Sequence, residues 1–175
     1  MGVAGLLGLQ TPVHATAPEV MNVLPGAQRA GSARLSVWGF DVYDATLYVA
    51  PGFRADAWAQ SRLALELHYL RGFDGDDIAE RSLEEMRRAG PIAAPQATQW
   101  LNEMKQAFPD VKKGDRLLGV YRPDEGVLFF HNGKPTTSVR DPAFAQRFFG
   151  IWLGPQTSEP AMRAALLATA SAPAR

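Results

Sequence analysis

From Arg34 onward the chain alternates apolar and polar side chains with a period of two. Arg34–Trp38 and Phe40–Val49 read as two strands joined at Gly39, with Pro51-Gly52 closing the pair, so a hairpin is expected. Leu63, Leu65, Leu67 and Tyr69 alternate with Ala64, Glu66, His68 and Leu70, which predicts a third strand with one face on the core. The period then changes. Asp74, Asp76 and Asp77 crowd a helix start, where carboxylates complement the helix dipole, and Ile78, Leu83 and Met86 share one arc of the helix that Ala89-Gly90-Pro91 stops. Pro95 suits a first helical position, and Trp100, Met104 and Phe108 recur every fourth residue up to Pro109. Leu117–Tyr121, Val127–His131 and Thr136–Val139 then read as a meander, its second turn marked by Asn132-Gly133. Asp141-Pro142 supplies an N-cap and a proline at N1 for a helix carrying Phe144, Phe148, Ile151 and Trp152. A last helix starts at Ser158-Glu159-Pro160 and runs through Met162, Leu166 and Leu167. The Ala/Ser/Pro-rich tail from Ala168 is expected to fray.

Three strands, two helices, three strands and two helices lack the strand–helix alternation of a parallel doubly wound sheet. An α+β fold follows, an antiparallel sheet with helices packed on one face. At 175 residues, without an internal repeat or a Gly/Ser/Pro-rich linker, one domain over residues 16–170 is expected, with a flexible tail at 171–175. Residues 1–15 hold a short apolar run, Val3–Leu9, followed by the small-x-small sequence Val13-His14-Ala15. That pattern reads as the remnant of an export signal, although no basic residue precedes the run. An exported protein, periplasmic in a Gram-negative host, is the corresponding expectation. No later stretch approaches the roughly 18 consecutive apolar residues that a transmembrane helix needs.

Composition removes several function classes. Eighteen basic residues balance eighteen acidic ones, which argues against nucleic acid as a partner. The absence of cysteine excludes thiolate nucleophiles and thiolate-held metals. His14, His68 and His131 lack the spacing that converges imidazoles on zinc, and Asp74, Asp76 and Glu85 fail as a calcium loop because Ala79 stands where glycine is required. No metal and no cofactor is therefore expected. The sequence also lacks a G-x-S-x-G elbow, a P-loop and a dinucleotide fingerprint.

The first hairpin carries the most suggestive pair. Counting back from a turn at Trp38-Gly39 sets Arg34 opposite Tyr43 on a face shared with Ser36, Asp41, Ala45 and Leu47, leaving Leu35, Val37, Phe40, Val42 and Tyr48 on the other. A guanidinium beside a phenol suits a carboxylate or an enolate. The competing reading pairs Arg34 with Asp41 or Asp44 on the sheet surface.

Gly31-Ser32-Ala33-Arg34, Val42-Tyr43-Asp44-Ala45-Thr46-Leu47-Tyr48, Lys113-Gly114-Asp115, Asn132-Gly133-Lys134 and Phe148-Phe149-Gly150-Ile151-Trp152-Leu153-Gly154 together resemble the bacterial chalcone isomerase-like family over about residues 20–168. These are exported relatives of plant chalcone isomerase and of plastid fatty-acid-binding proteins. The resemblance implies an open-faced sandwich, one large antiparallel sheet with helices over one face. It also implies that Arg34 matches the strand arginine of the isomerases, and that Tyr43 stands where they carry threonine and the fatty-acid-binding relatives carry tyrosine. The positions of the isomerases' helix-region Tyr and Asn fall near Asp74 and Arg81, which cannot take the same parts. What the resemblance leaves is an Arg and Tyr pair that grips a ligand carboxylate.

The first expectation is therefore a non-catalytic protein that binds a small apolar carboxylate, such as a fatty acid, between sheet and helices. Arg34 and Tyr43 would hold the head group, and Leu47, Tyr69, Met86, Trp100, Phe148 and Trp152 would line the pocket. A second is an intramolecular lyase or isomerase for a chalcone-like or enone substrate, with Arg34 steadying an enolate. A third is a cell-envelope interaction module that docks through the Trp- and Phe-rich carboxy-terminal helix.

Overall fold

A computed structural model describes residues 16–170. The elements are α1 (Pro18–Val23), β1 (Gln28–Val37), β2 (Phe40–Val49), β3 (Leu63–Tyr69), α2 (Gly75–Met86), α3 (Ala94–Ala107), β4 (Arg116–Arg122), β5 (Gly126–His131), β6 (Lys134–Val139), α4 (Pro142–Leu153) and α5 (Pro160–Leu166). The six strands form one antiparallel sheet in sequence order, β1 to β6, and β3 reaches β4 through α2 and α3. The expected α+β architecture is present. The export-signal reading of residues 1–15 lies outside the described residues, and among the described ones no helix is long and apolar enough to cross a membrane.

Two-residue turns set the β1–β2 and β5–β6 hairpins. Trp38 and Gly39, at φ 55 and 81, and Asn132 and Gly133, at φ 49 and 81, occupy the left-handed region that such turns require. Asp141 caps α4 as expected, one carboxylate oxygen accepting from the backbone N–H groups of Ala143 and Phe144 at 2.9 and 3.1 Å. Its other oxygen accepts from the Trp100 indole at 2.8 Å, which ties α3 to the start of α4.

The sheet separates two cores. Ala45, Leu47, Leu65, Tyr121 and Phe129 face α2 to α5 and meet Met86, Trp100, Met104 and the aromatic ladder of α4. In that ladder Phe148 stacks on Phe144 at 5.6 Å and meets Trp152 at 5.3 Å and Phe129 at 5.3 Å. Burial of each such ring stabilises the fold by about 1.5–3 kcal/mol. On the other face Tyr48, Ala64, Leu118 and Val120 pack against Val20 of α1 and Leu24, the residue that follows it. That short helix has no apolar periodicity of its own, and it escapes sequence reading for that reason.

Two expectations about the chain ends change. β1 begins at Gln28 instead of Arg34, because Gln28–Ala33 pairs with β2 despite lacking apolar alternation. The segment after Ala168 does not fray at once. The Thr169 N–H donates to the Ala30 carbonyl at 3.2 Å, and Ala170 packs on the core. Gly31 permits this closure, since a Cβ there would fall on the Ala165 carbonyl of α5.

Candidate functional site

The register of the first hairpin decides which side chains meet. Near the turn it follows the simple count, with Val37 opposite Phe40 and Ser36 opposite Asp41. The next pairs are Leu35 with Tyr43 and Arg34 with Asp44, which leaves Val42 as an extra residue in β2; a second shift at Ala30 restores the count at Arg29. Arg34 lies between the two bulges, where the count is off by one.

The expected Arg34–Tyr43 pair therefore does not form. The Val42 bulge brings Asp41 and Asp44 onto one face with Arg34, whose guanidinium donates to Asp44 at 2.7 and 3.0 Å and to Asp41 at 2.9 Å. Ser36 donates to Asp41 at 2.6 Å and, with Arg34, holds that carboxyl below its ordinary range. Arg34 faces a cavity of about 610 Å³ on the α1 side, shared with Thr46, Tyr48, Glu66, His68 and Arg116. Arg116 there pairs with Glu19 and Glu66, each at 2.8 Å. The surface-pairing alternative for Arg34 is the one that the geometry realises.

Tyr43 turns the other way, into a cavity of about 760 Å³ between the sheet and α2, α4 and α5. Its walls are chiefly apolar: Leu35, Leu65, Leu67, Phe73, Ile78, Phe108, Phe148, Ile151 and Met162. Its polar lining is Tyr43 and Tyr69, two serines, and the charged side chains of Arg71, Arg81, Asp77, Glu85 and Glu159. The Trp152 indole donates to the Tyr43 hydroxyl at 3.0 Å, which leaves the phenolic proton free to donate. Tyr69 stands edge-on to Tyr43 at 5.8 Å, is 3% exposed, and has no hydrogen-bond partner for its hydroxyl among the described residues. Burial pushes Tyr43 up to about 12, with the Glu85 and Glu159 charges adding to the rise and Trp152 and Arg81 opposing it. Burial raises Tyr69 as well, so both phenols stay protonated donors at neutral pH.

Four of the expected pocket residues, Tyr43, Tyr69, Phe148 and Trp152, line this cavity. Leu47, Met86 and Trp100 do not; they are 0%, 1% and 2% exposed within the packed core. The reason is visible along α2. Ala79, Leu83 and Met86 form its buried stripe, whereas Ile78, Arg81, Ser82 and Glu85, on the neighbouring stripe, reach the cavity. Arg81 pairs with Glu85 at 2.7 Å and with Glu84 at 3.4 Å. Sequence reading treats this stripe as solvated charge, although the spacing of Ile78, Ser82 and Glu85 already puts a mixed-polarity edge beside the core stripe.

The expected docking face on the carboxy-terminal helix is absent, since Phe144, Phe148, Phe149 and Trp152 are buried. His131 stands 3.4 Å from the Asp115 carboxylate, a structural arrangement next to the Asn132-Gly133 turn.

Residues 28–168 match the family model described as chalcone isomerase-like. The chain belongs to the chalcone isomerase-like family. An uncharacterized protein of Haemophilus influenzae is 30% identical over 132 residues, which span 75% of this chain and 63% of that one. The chain thus spans less than two thirds of that relative's length. Among solved structures, a fatty-acid binding protein of Arabidopsis thaliana superposes with a TM-score of 0.63 at 12% identity, over 83% of this chain and 89% of that one. At that identity the likeness is one of fold. Within the chalcone isomerase-like fold, this chain therefore puts its arginine–aspartate cluster on one face of the sheet and, on the other, its apolar cavity with two phenols, Tyr69 buried and Tyr43 half-buried.

Proposed function

We propose that this protein binds one small apolar ligand with an acid head group, of the fatty-acid class, in the cavity between the sheet and the helices. The observation that carries the reading is the cavity itself. At about 760 Å³ it falls in the range of small-molecule sites, and its apolar walls lead to the phenols of Tyr43 and Tyr69. Tyr43 and Tyr69 donate to the head group, and Arg81 supplies the positive charge beside them. The fold neighbour named for fatty-acid binding supports the ligand class.

A binding role, as opposed to turnover, is supported by the state of the phenols. A tyrosine held at about 12 stays a neutral hydrogen-bond donor at neutral pH, whereas a general acid or base works best with a value near the operating pH. The export expected from residues 1–15 belongs to the proposal, and the amino-terminal mass of protein recovered from the cell envelope tests it.

The binding reading is tested by extracting purified protein with organic solvent and identifying released molecules by mass spectrometry, for wild type and Tyr43→Phe/Arg81→Ala. The expected result is a fatty acid in the wild-type extract that is depleted in the double variant. An empty wild-type extract, together with no saturable binding of added long-chain fatty acid, would overturn the reading. Turnover of enones by wild type, lost in Tyr43→Phe, would replace it with the isomerase alternative.

A further inference from the structure

Four large hydrophobic residues are exposed among the described residues, and three of them sit on one turn: Val37 at 43%, Trp38 at 93% and Phe40 at 60%. Trp38 adopts φ 55, a left-handed conformation that Asn or Gly takes at little cost and a bulky side chain takes reluctantly. Neither packing nor turn geometry calls for tryptophan there. The same three residues line the mouth of the apolar cavity, so the tip is continuous with the proposed site.

The surroundings favour one occupant. The Arg71 guanidinium lies 4.8 Å from the centre of the Phe40 ring, which puts a cation at the base of the aromatic tip. Asp41, the acidic residue next to Phe40, pairs with Arg34, which it shares with Asp44. Tryptophan and phenylalanine flanked by arginine make up the composition that settles at the boundary between lipid headgroups and acyl chains. Three side chains on a protruding turn cannot supply the roughly 800 Å² per partner that a stable protein–protein interface buries. Arg71 and Arg81 share the cavity with Asp77, Glu85 and Glu159, so attraction to anionic lipid is secondary to apolar insertion.

We propose that the β1–β2 turn docks on a lipid bilayer, inserting Trp38 and Phe40 at the headgroup boundary and setting the cavity mouth against the membrane. An apolar ligand then passes between bilayer and cavity without crossing water. The surface proposal rests on the turn and does not depend on which ligand fills the cavity.

Tryptophan fluorescence with phosphatidylcholine vesicles, with and without phosphatidylglycerol, tests it. Trp58, Trp100 and Trp152 are buried, so a change on adding vesicles that disappears when Trp38 is replaced reports Trp38. Wild type is expected to show a blue shift, and quenching by lipids labelled near the headgroup. Trp38→Asn/Phe40→Ser is expected to bind vesicles at least about tenfold more weakly, with unchanged circular dichroism and an equal or higher Tm, because Asn suits the turn. Transfer of a fatty acid from vesicles to the protein is expected to slow in the double variant. Wild type that ignores both vesicle types overturns the inference, as does a double variant that binds them equally well. So does a wild-type dimer that dissociates in the double variant, which would assign the tip to a second copy. Vesicle binding by a protein whose cavity takes no ligand would leave this inference standing and remove the proposed function instead.

Discussion

The Trp152 indole N–H donates to the Tyr43 hydroxyl at 3.0 Å, joining α4 to β2 at the wall of the large cavity. The contact holds the phenol in place and leaves its proton pointing to whatever occupies the site. Tyr43→Phe removes the acceptor and strands a buried indole N–H, so a loss of about 1–2 kcal/mol is expected by chemical denaturation. Trp152→Phe removes the donor and fills less of the wall, and a comparable loss is expected. In the double variant the losses should be less than additive, because the shared bond is lost only once.

Arg34 and Arg81 should separate cleanly in binding assays. Arg34 is committed to Asp41 and Asp44 on the α1 side of the sheet, and Arg81 lines the cavity that holds Tyr43. Arg34→Ala is expected to leave fatty-acid affinity within about twofold of wild type, and Arg81→Ala to weaken it by roughly tenfold, the worth of one charge-assisted hydrogen bond. Glu85→Gln should strengthen binding of the carboxylate, since it removes a like charge near the phenols. Isothermal titration of the three variants is the check, and a tenfold loss for Arg34→Ala would return the site to the other face.

Filling the cavity should abolish binding without harming the fold. Ile78 lines the cavity from α2 and is only partly buried, and Ile78→Trp adds bulk on the open side of the core. The expected outcome is no saturable ligand binding and a Tm equal to or above that of wild type. Gly31→Ala provides the contrast. There a single methyl group meets the Ala165 carbonyl, and a destabilisation of about 1–3 kcal/mol is expected.

All four tyrosines, Tyr43, Tyr48, Tyr69 and Tyr121, are raised above the ordinary value of 10.0, chiefly by burial. The unfolded chain ionises near pH 10, whereas folded Tyr43 keeps its proton to about 12. The stability that Tyr43 contributes by remaining neutral is therefore complete below pH 10 and lost as pH rises from 10 to about 12, at up to about 1.4 kcal/mol per pH unit. Tyrosinate absorbance should stay low in native protein just above pH 10 and appear with unfolding. Tyr43→Phe should shallow the slope of stability against pH in that window.

Much of the fold was legible in local pattern. Period-two alternation located β2 and β3, the Asn132-Gly133 pair fixed a turn of the later meander, and Asp141-Pro142 marked the start of α4. Each signal is carried by neighbours in sequence, and the family resemblance rested on the same segments. The α1 helix and the first half of β1 stayed hidden because tertiary partners create them: Val20 and Leu24 pack on Tyr48, and Gln28–Ala33 borrows its order from β2.

The site was legible only in part. The sequence by itself determined that a sheet with aromatic helices over one face would exist, and that Tyr43, Tyr69, Phe148 and Trp152 would be available to it. The tertiary structure decided which side of the sheet each hairpin residue faces. One extra residue at Val42 reverses the alternation, sending Tyr43 into the apolar cavity and leaving Arg34 with its two aspartates on the far face. A bulge is a compromise between two strands about where their hydrogen bonds fall, so neither strand's own pattern of side chains records it.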